Sequence, residues 1–99
     1  MKLYHLTRHG GAILANGFRD NTSHYGADTP HTGTWWSDRP LWDAGEVDPD
    51  EGSLFELVIN EATASEYEWV QEGLTYREFL IPAAVVKSLG YRMVPTDDQ

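Results

Sequence analysis

Thr75-Tyr76-Arg77-Glu78-Phe79-Leu80-Ile81-Pro82-Ala83-Ala84-Val85-Val86-Lys87-Ser88-Leu89-Gly90-Tyr91-Arg92-Met93-Val94 is the stretch that decides the fold class. Thr75 to Ile81 reads as a strand. Pro82, whose ring presets φ and whose missing N–H costs nothing in a first turn, starts a short helix through Val85 and Val86 to Leu89. Gly90 ends that helix, and Tyr91 to Val94 form a last strand. A helix this short does not make a parallel crossover, and the helical stretches elsewhere are equally short and irregularly spaced. The expectation is an α+β domain of small, mainly antiparallel, split β-sheets with short helices.

The same pattern extends toward the start. Lys2 to Thr7 alternates around Leu3, His5 and Thr7 and reads as a first strand. Gly10-Gly11 breaks it, and Ala12 to Asn16 suit a short helix closed by Gly17, with Phe18 packing after the turn. Residues 19–32 are rich in Asp, Asn, Ser, Gly and Pro and read as a long loop. Thr34 to Ser37 form a short strand entering a turn at Asp38-Arg39-Pro40. Leu41 to Gly45 suit one helical turn, and Glu46 to Gly52 are acidic and turn-like. Leu54 to Ile59 form a clear strand. Ser65-Glu66-Tyr67-Glu68 matches a capping box, which predicts a helix from Ser65 to Glu72 stopped by Gly73, with Glu66, Glu68 and Glu72 on a solvated face. Pro95 to Gln99 read as a frayed tail of a single domain spanning residues 1–99.

The chain has 99 residues, no cysteine and a formal charge of −9. A domain of this size buries about two-thirds of its unfolded surface, so the core is small. The missing cysteines exclude disulfides and thiolate metal sites. The acidity repels phosphate backbones and argues against nucleic acid as a partner, although Arg8, Arg19 and Arg39 offer a local basic spot. No apolar run reaches the length of a membrane span and the start lacks a signal-peptide pattern, so a soluble, cytoplasmic protein is expected. Four tryptophans, Trp35, Trp36, Trp42 and Trp69, serve either a packed core or the wall of a flat-ligand site. Trp35 and Trp36 are neighbours on a strand and point to opposite faces, so at most one of them faces a cleft. Alternation likewise puts Glu78 on the face of Leu80, with Phe79 and Ile81 on the other.

Three separated segments carry polar groups suited to chemistry. These are Tyr4-His5-Leu6-Thr7, Gly33-Thr34-Trp35-Trp36-Ser37-Asp38, and Glu78-Phe79-Leu80-Ile81. In that order they resemble the ADP-ribosyltransferase fold, in the branch of poly(ADP-ribose) polymerases and related bacterial enzymes. The first resembles a strand in which His is followed two residues on by Ser or Thr. The helix with Gly17-Phe18 resembles the element that commonly comes next. The second segment resembles a Gly-x-Tyr-Phe-Ala-Asp run, and the third a strand that opens on the catalytic Glu.

The resemblance implies that the chain takes NAD as substrate, cleaves its nicotinamide–ribose bond and passes ADP-ribose to an acceptor that the sequence does not name: a protein side chain, a nucleic-acid group or water, with nucleic acid the least favoured by the acidic charge. It implies Glu78 as the carboxylate that supports charge at the ribose, as in glycoside chemistry. His5 would bind a ribose hydroxyl on the adenosine side, Thr7 the nicotinamide ribose, and the Leu6 backbone the carboxamide. Trp35 would stack on nicotinamide, and Ser37 completes the set of dinucleotide contacts. The departures are Trp35 where Tyr is usual, Leu6 where Gly is common, and Tyr76 two residues before Glu78 where many mono-transferases carry Glu or Gln. A non-enzymatic binding protein on the same fold is the alternative. Read without the resemblance, His5 is a structural strand histidine and Glu78 a surface carboxylate.

Two other patterns lead elsewhere. Thr7-Arg8-His9-Gly10 resembles the Arg-His-Gly signature of histidine phosphatases, in which His9 would be the nucleophile. That chemistry needs a second, late His, and none follows His31. His5 and His9 stand four apart, which aligns metal ligands only on a helix, so no metal is expected.

Overall fold

The computed structural model describes residues 1–23, 31–40, 52–70 and 73–94. Its elements are β1 (Lys2–Thr7), α1 (Gly10–Asn16), β2 (Asn21–Ser23), β3 (His31–Ser37), β4 (Ser53–Val58), α2 (Glu61–Ser65), β5 (Glu68–Trp69), β6 (Glu78–Ile81), α3 (Ala83–Leu89) and β7 (Tyr91–Val94). The strands join in the order β5-β6-β3-β1-β4-β7, with β2 added to β3. Every described pairing is antiparallel. The result is a small mixed α+β domain. The strands follow one continuous order in a single sheet, so the expected split into separate small sheets is corrected; β1 and β3 are joined at a seam of one registered pair. The expectations for residues 41–45, for 46–51 and for the 95–99 tail lie outside the described residues, as does the middle of the 19–32 segment. No helix among the described residues is long and apolar enough to cross a membrane.

The core lies on one face of the sheet. Leu3, Phe55 and Leu57 of β1 and β4, Trp36 of β3, and Phe79 and Ile81 of β6 are fully or almost fully buried there. Phe18, Ala64, Ala83 and Val86 cover them from the helical side. The period-2 pattern read from Trp35-Trp36 and Glu78-Phe79 is therefore the real one, since Trp36 and Phe79 are core while Trp35 and Glu78 are half-buried on the opposite face.

Three local expectations are corrected. The Gly10-Gly11 pair does not separate strand from helix; it is the first turn of α1. Gly10 is buried, and a Cβ built there would lie 2.5 Å from the Cβ of Ser53, so the helix sits flush on β4 only because this residue has no side chain. The helix expected from Ser65 to Glu72 is instead Glu61–Ser65, capped by Asn60, whose Oδ1 accepts the Ala62 N–H at 2.8 Å. Ser65 closes that helix, its Oγ donating to the Glu61 carbonyl at 2.9 Å. The alternation Glu66-Tyr67-Glu68-Trp69 then reads with a strand period, and Glu68 and Trp69 form β5. Glu68 does not belong to a solvated helix face, because it binds Arg77; Glu72 lies outside the described residues. Finally, the 19–32 segment is not loop throughout, since Asn21–Ser23 pair with the start of β3.

Candidate functional site

β1 pairs with β4 along its whole length, from Lys2↔Val58 to Thr7↔Ser53. On its other side it meets β3 at the single registered pair Tyr4↔Ser37. Ser37 ties this apex together, its Oγ lying 3.3 Å from the Tyr4 carbonyl and 2.8 Å from that of Arg39, both acceptors. Past the apex the two strands part. The His5 side chain crosses the gap and bonds the Trp35 carbonyl through Nδ1 at 2.6 Å. A carbonyl only accepts, so Nδ1 carries the proton and Nε2 remains the acceptor of the neutral ring. Burial pushes the His5 pKa down, more than the bond to Trp35 raises it. The ring is therefore neutral at neutral pH. It packs against Phe18 (centroids 5.1 Å apart, edge-on) and Trp36 (5.5 Å).

The parted strands open a groove of about 270 Å³. β1 contributes His5 and Thr7, and β3 contributes Thr34 and Trp35. α1 and its flanks close the remaining side with His9, Ala12, Ile13, Asn16, Gly17, Phe18 and Arg19. Thr7 is buried, and its Oγ1 accepts the His9 N–H at 3.0 Å, so its own proton is left to donate. Thr34 has no proton to offer a ligand, because its Oγ1 donates to the Ile81 carbonyl at 2.7 Å and accepts the Trp36 indole N–H at 2.8 Å. Among the described residues that line the groove, none is acidic, although the chain carries a net charge of −9.

The carboxylate proposed from the sequence is not among the lining residues of this groove and stands on the other face of the sheet. Glu78 opens β6 directly opposite Ser37 on β3 and Trp69 on β5. Directly paired residues share a face, so Tyr4, Ser37, Glu78 and Trp69 form one row across the sheet at the apex of the seam. Glu78 is half-buried, and its Oε2 is a buried atom. Trp35 belongs to the next row, opposite Leu80. That makes Trp35 and Glu78 diagonal neighbours on one face, about 7–8 Å apart and within reach of long side chains. Trp69 braces Trp35 edge-on, with centroids 5.7 Å apart and planes at 86°.

Of the residues singled out in the sequence, His5 and Thr7 meet in one groove; Trp35 reaches it through its backbone carbonyl, while its ring lies on the other face of the sheet against Trp69 and does not supply the expected stacking wall there. Leu6 and Ser37 do not line the groove: Leu6 pairs with Leu54, and Ser37 closes the apex. Asn16 was not foreseen as a groove residue, and His9 and Arg19 were singled out only for other reasons. The available signal was Gly17-Phe18-Arg19, where a positive-φ glycine (φ 81°) turns a buried Phe inward and leaves the next residue at the rim. Among the described residues, no three His, Cys, Asp or Glu side chains are grouped so as to hold a metal ion. No family model, curated protein or solved structure matches this chain.

Proposed function

We propose that the seam groove binds NAD and that the chain cleaves the nicotinamide–ribose bond, as the resemblance to ADP-ribosyltransferases implies. The observation that carries this reading is the convergence of the His5 and Thr7 side chains on a single groove free of acidic lining residues, at the seam of two strands joined by one registered pair. Each supplies what a dinucleotide needs. The neutral His5 offers Nε2 to a ribose hydroxyl, and Thr7 donates its hydroxyl proton. Arg19 and His9, with no carboxylate in the lining, suit the anionic pyrophosphate.

In this reading the C1′–N bond breaks and its electron pair goes to the pyridinium nitrogen, so nicotinamide leaves neutral. The resemblance assigns stabilisation of the positive charge that develops on the ribose to the Glu78 carboxylate, which opens β6 opposite Ser37 at the apex of the seam. The acceptor's nucleophile then bonds to C1′ and loses its proton. A protein side chain or water fits this acidic chain better than nucleic acid does.

The test is nicotinamide release from NAD by the purified protein and by Glu78→Gln. The variant is expected to lose at least about two orders of magnitude in turnover. Equal turnover by both proteins removes Glu78 from the mechanism. One observation favours a second reading, in which the groove binds without turnover: Glu78 lies outside the lining residues. Calorimetry with NAD, NADH and ADP-ribose separates the two, since binding of all three without nicotinamide release supports the second.

A further inference from the structure

We propose that Asp38 is a positioning residue for Glu78. This rests on the role given to Glu78 above. Asp38 follows β3, where the chain turns away from the sheet and Ser37 Oγ reaches the Arg39 carbonyl. A regular ladder would lose its next rung here. Asp38 restores that rung with its side chain, because its own N–H donates to the Arg77 carbonyl at 3.1 Å and its Oδ1 accepts the Arg77 N–H at 3.1 Å. Both peptide groups of the residue immediately before Glu78 are thereby held.

The far side of Arg77 is fixed as well. Its guanidinium grips Glu68 through two bonds of 2.8 and 3.2 Å, bonds Glu61 at 2.8 Å, and lies over the Phe79 ring at 5.2 Å. Glu68 belongs to β5 and Glu61 to α2, so Arg77 is tied to two elements on the flank away from β3. Toward β3, the strand that carries Trp35, the ladder registers Glu78 opposite Ser37, and Asp38 adds one further pair at this end through its own N–H and its Oδ1. Glu78 is the first residue of β6, so its end of the strand is held against fraying by the Arg77 N–H that Asp38 Oδ1 accepts. A shift of about 1 Å in a reacting group costs roughly a hundredfold in rate, whereas substrate affinity is set elsewhere.

Three variants test this. Asp38→Asn keeps an oxygen at the Oδ1 position. Asp38→Ala removes it. Asp38→Glu keeps the charge but moves the oxygen by one methylene. With NAD as substrate, Asp38→Ala and Asp38→Glu are expected to lower kcat by at least about tenfold with KM changed less than about twofold, while Asp38→Asn stays within about threefold of the parent. Equal loss in Asp38→Asn and Asp38→Ala, or a change confined to KM, overturns the proposal.

A second measurement stands without turnover. Carbon-detected NMR of the Glu78 carboxyl is expected to show a changed chemical shift in Asp38→Ala and Asp38→Glu, and a shift near the parent value in Asp38→Asn. If the parent releases no nicotinamide, the proposed reaction fails while this readout still judges Asp38. An unmoved Glu78 signal in folded Asp38→Ala, or in Asp38→Glu should the former not fold, refutes the positioning role.

Discussion

His5→Asn and His5→Ala separate the two jobs of the seam histidine. In the folded chain the ring donates from Nδ1 to the Trp35 carbonyl at 2.6 Å and packs against Phe18 and Trp36. Truncation to Ala strands the carbonyl in a half-buried gap, at about 1–3 kcal/mol. Loss of the ring contacts adds about 0.5–1.5 kcal/mol. The sum is about 2–4 kcal/mol, which in a domain of this size lowers Tm by roughly 10–20 °C. Asparagine presents an amide N–H near the Nδ1 position and is expected to recover part of the loss.

The pH dependence gives a sharper test. The free-chain value is 6.5 and burial lowers it in the fold, so below 6.5 the unfolded chain binds the proton more readily. The full contribution of the neutral ring is present above 6.5. It declines as pH falls toward the folded pKa, by at most about 1.4 kcal/mol per pH unit, and levels off beneath it. Urea midpoints for the parent and His5→Asn, measured from about pH 5 to about pH 7.5, are expected to converge toward the acid end as the parent loses this term. Carboxylates titrating in the same range cancel in the difference. Parallel curves, or ring nitrogen shifts placing the proton on Nε2, refute the argument.

Other substitutions probe the glycines and the β6 clamp. Gly11→Ala, where a Cβ meets nothing within 4 Å, should stabilise by about 0.4–1 kcal/mol in denaturant titrations. Gly10→Ala gains the same helix propensity but drives its Cβ into Ser53, a clash of about 1–3 kcal/mol that outweighs it, and Ser53→Gly should relieve much of the loss. Gly33→Ala, with φ at 157° and a Cβ 3.0 Å from Leu80 Cδ1 and 3.2 Å from the Ile81 carbonyl, should cost about 1–3 kcal/mol by the same assay. Arg77→Met should lower Tm and reduce the salt dependence of stability, because its bonds to Glu61 and Glu68 are half-exposed and screened by ions.

Much of the fold was legible where the chain punctuates itself. Pro82 and Gly90 bound α3 to within a residue, and Tyr91 to Val94 are β7 as read. The opposite-face rule for Trp35 and Trp36 followed from strand geometry alone. Two misreadings share a cause, which is that local signals compete and tertiary contacts arbitrate. Ser65 looks like a cap only until Asn60, an equally good one, is seen to start the helix earlier. Gly10 looks like a breaker only until Ser53 is known to lie against it. The seam itself was not legible. Strand order and register depend on which strands meet, and alternating patterns leave that open. His5 and Thr7, which meet in the groove, carried a signal only through their order along the chain, and Arg19 only through the glycine turn before it.

The sequence left His5 with two readings, a structural strand histidine or a ligand contact. The seam shows why these are not alternatives. Where two strands part, the backbone groups that faced each other need other partners, since an unpaired buried carbonyl is costly. A side chain that spans the gap supplies one. Imidazole does so with one nitrogen, and in its neutral form keeps a second whose acceptor character is then fixed by the first bond. Lysine, arginine and glutamate offer no such division between a donor and an acceptor. Asparagine does, on a shorter side chain that does not fill the space between Phe18 and Trp36. The groove therefore exists because the sheet opens, and the sheet opens at low cost because His5 closes one carbonyl while leaving an acceptor for whatever enters. A dinucleotide hydroxyl is a donor of the right kind. On this reasoning, ligand affinity and stability should fall together in His5→Ala. In His5→Asn, the stability should recover more than the affinity does, because the bond to Trp35 is restored while the geometry of the second acceptor is not. Equal recovery of both would separate the fold of the seam from its use as a site.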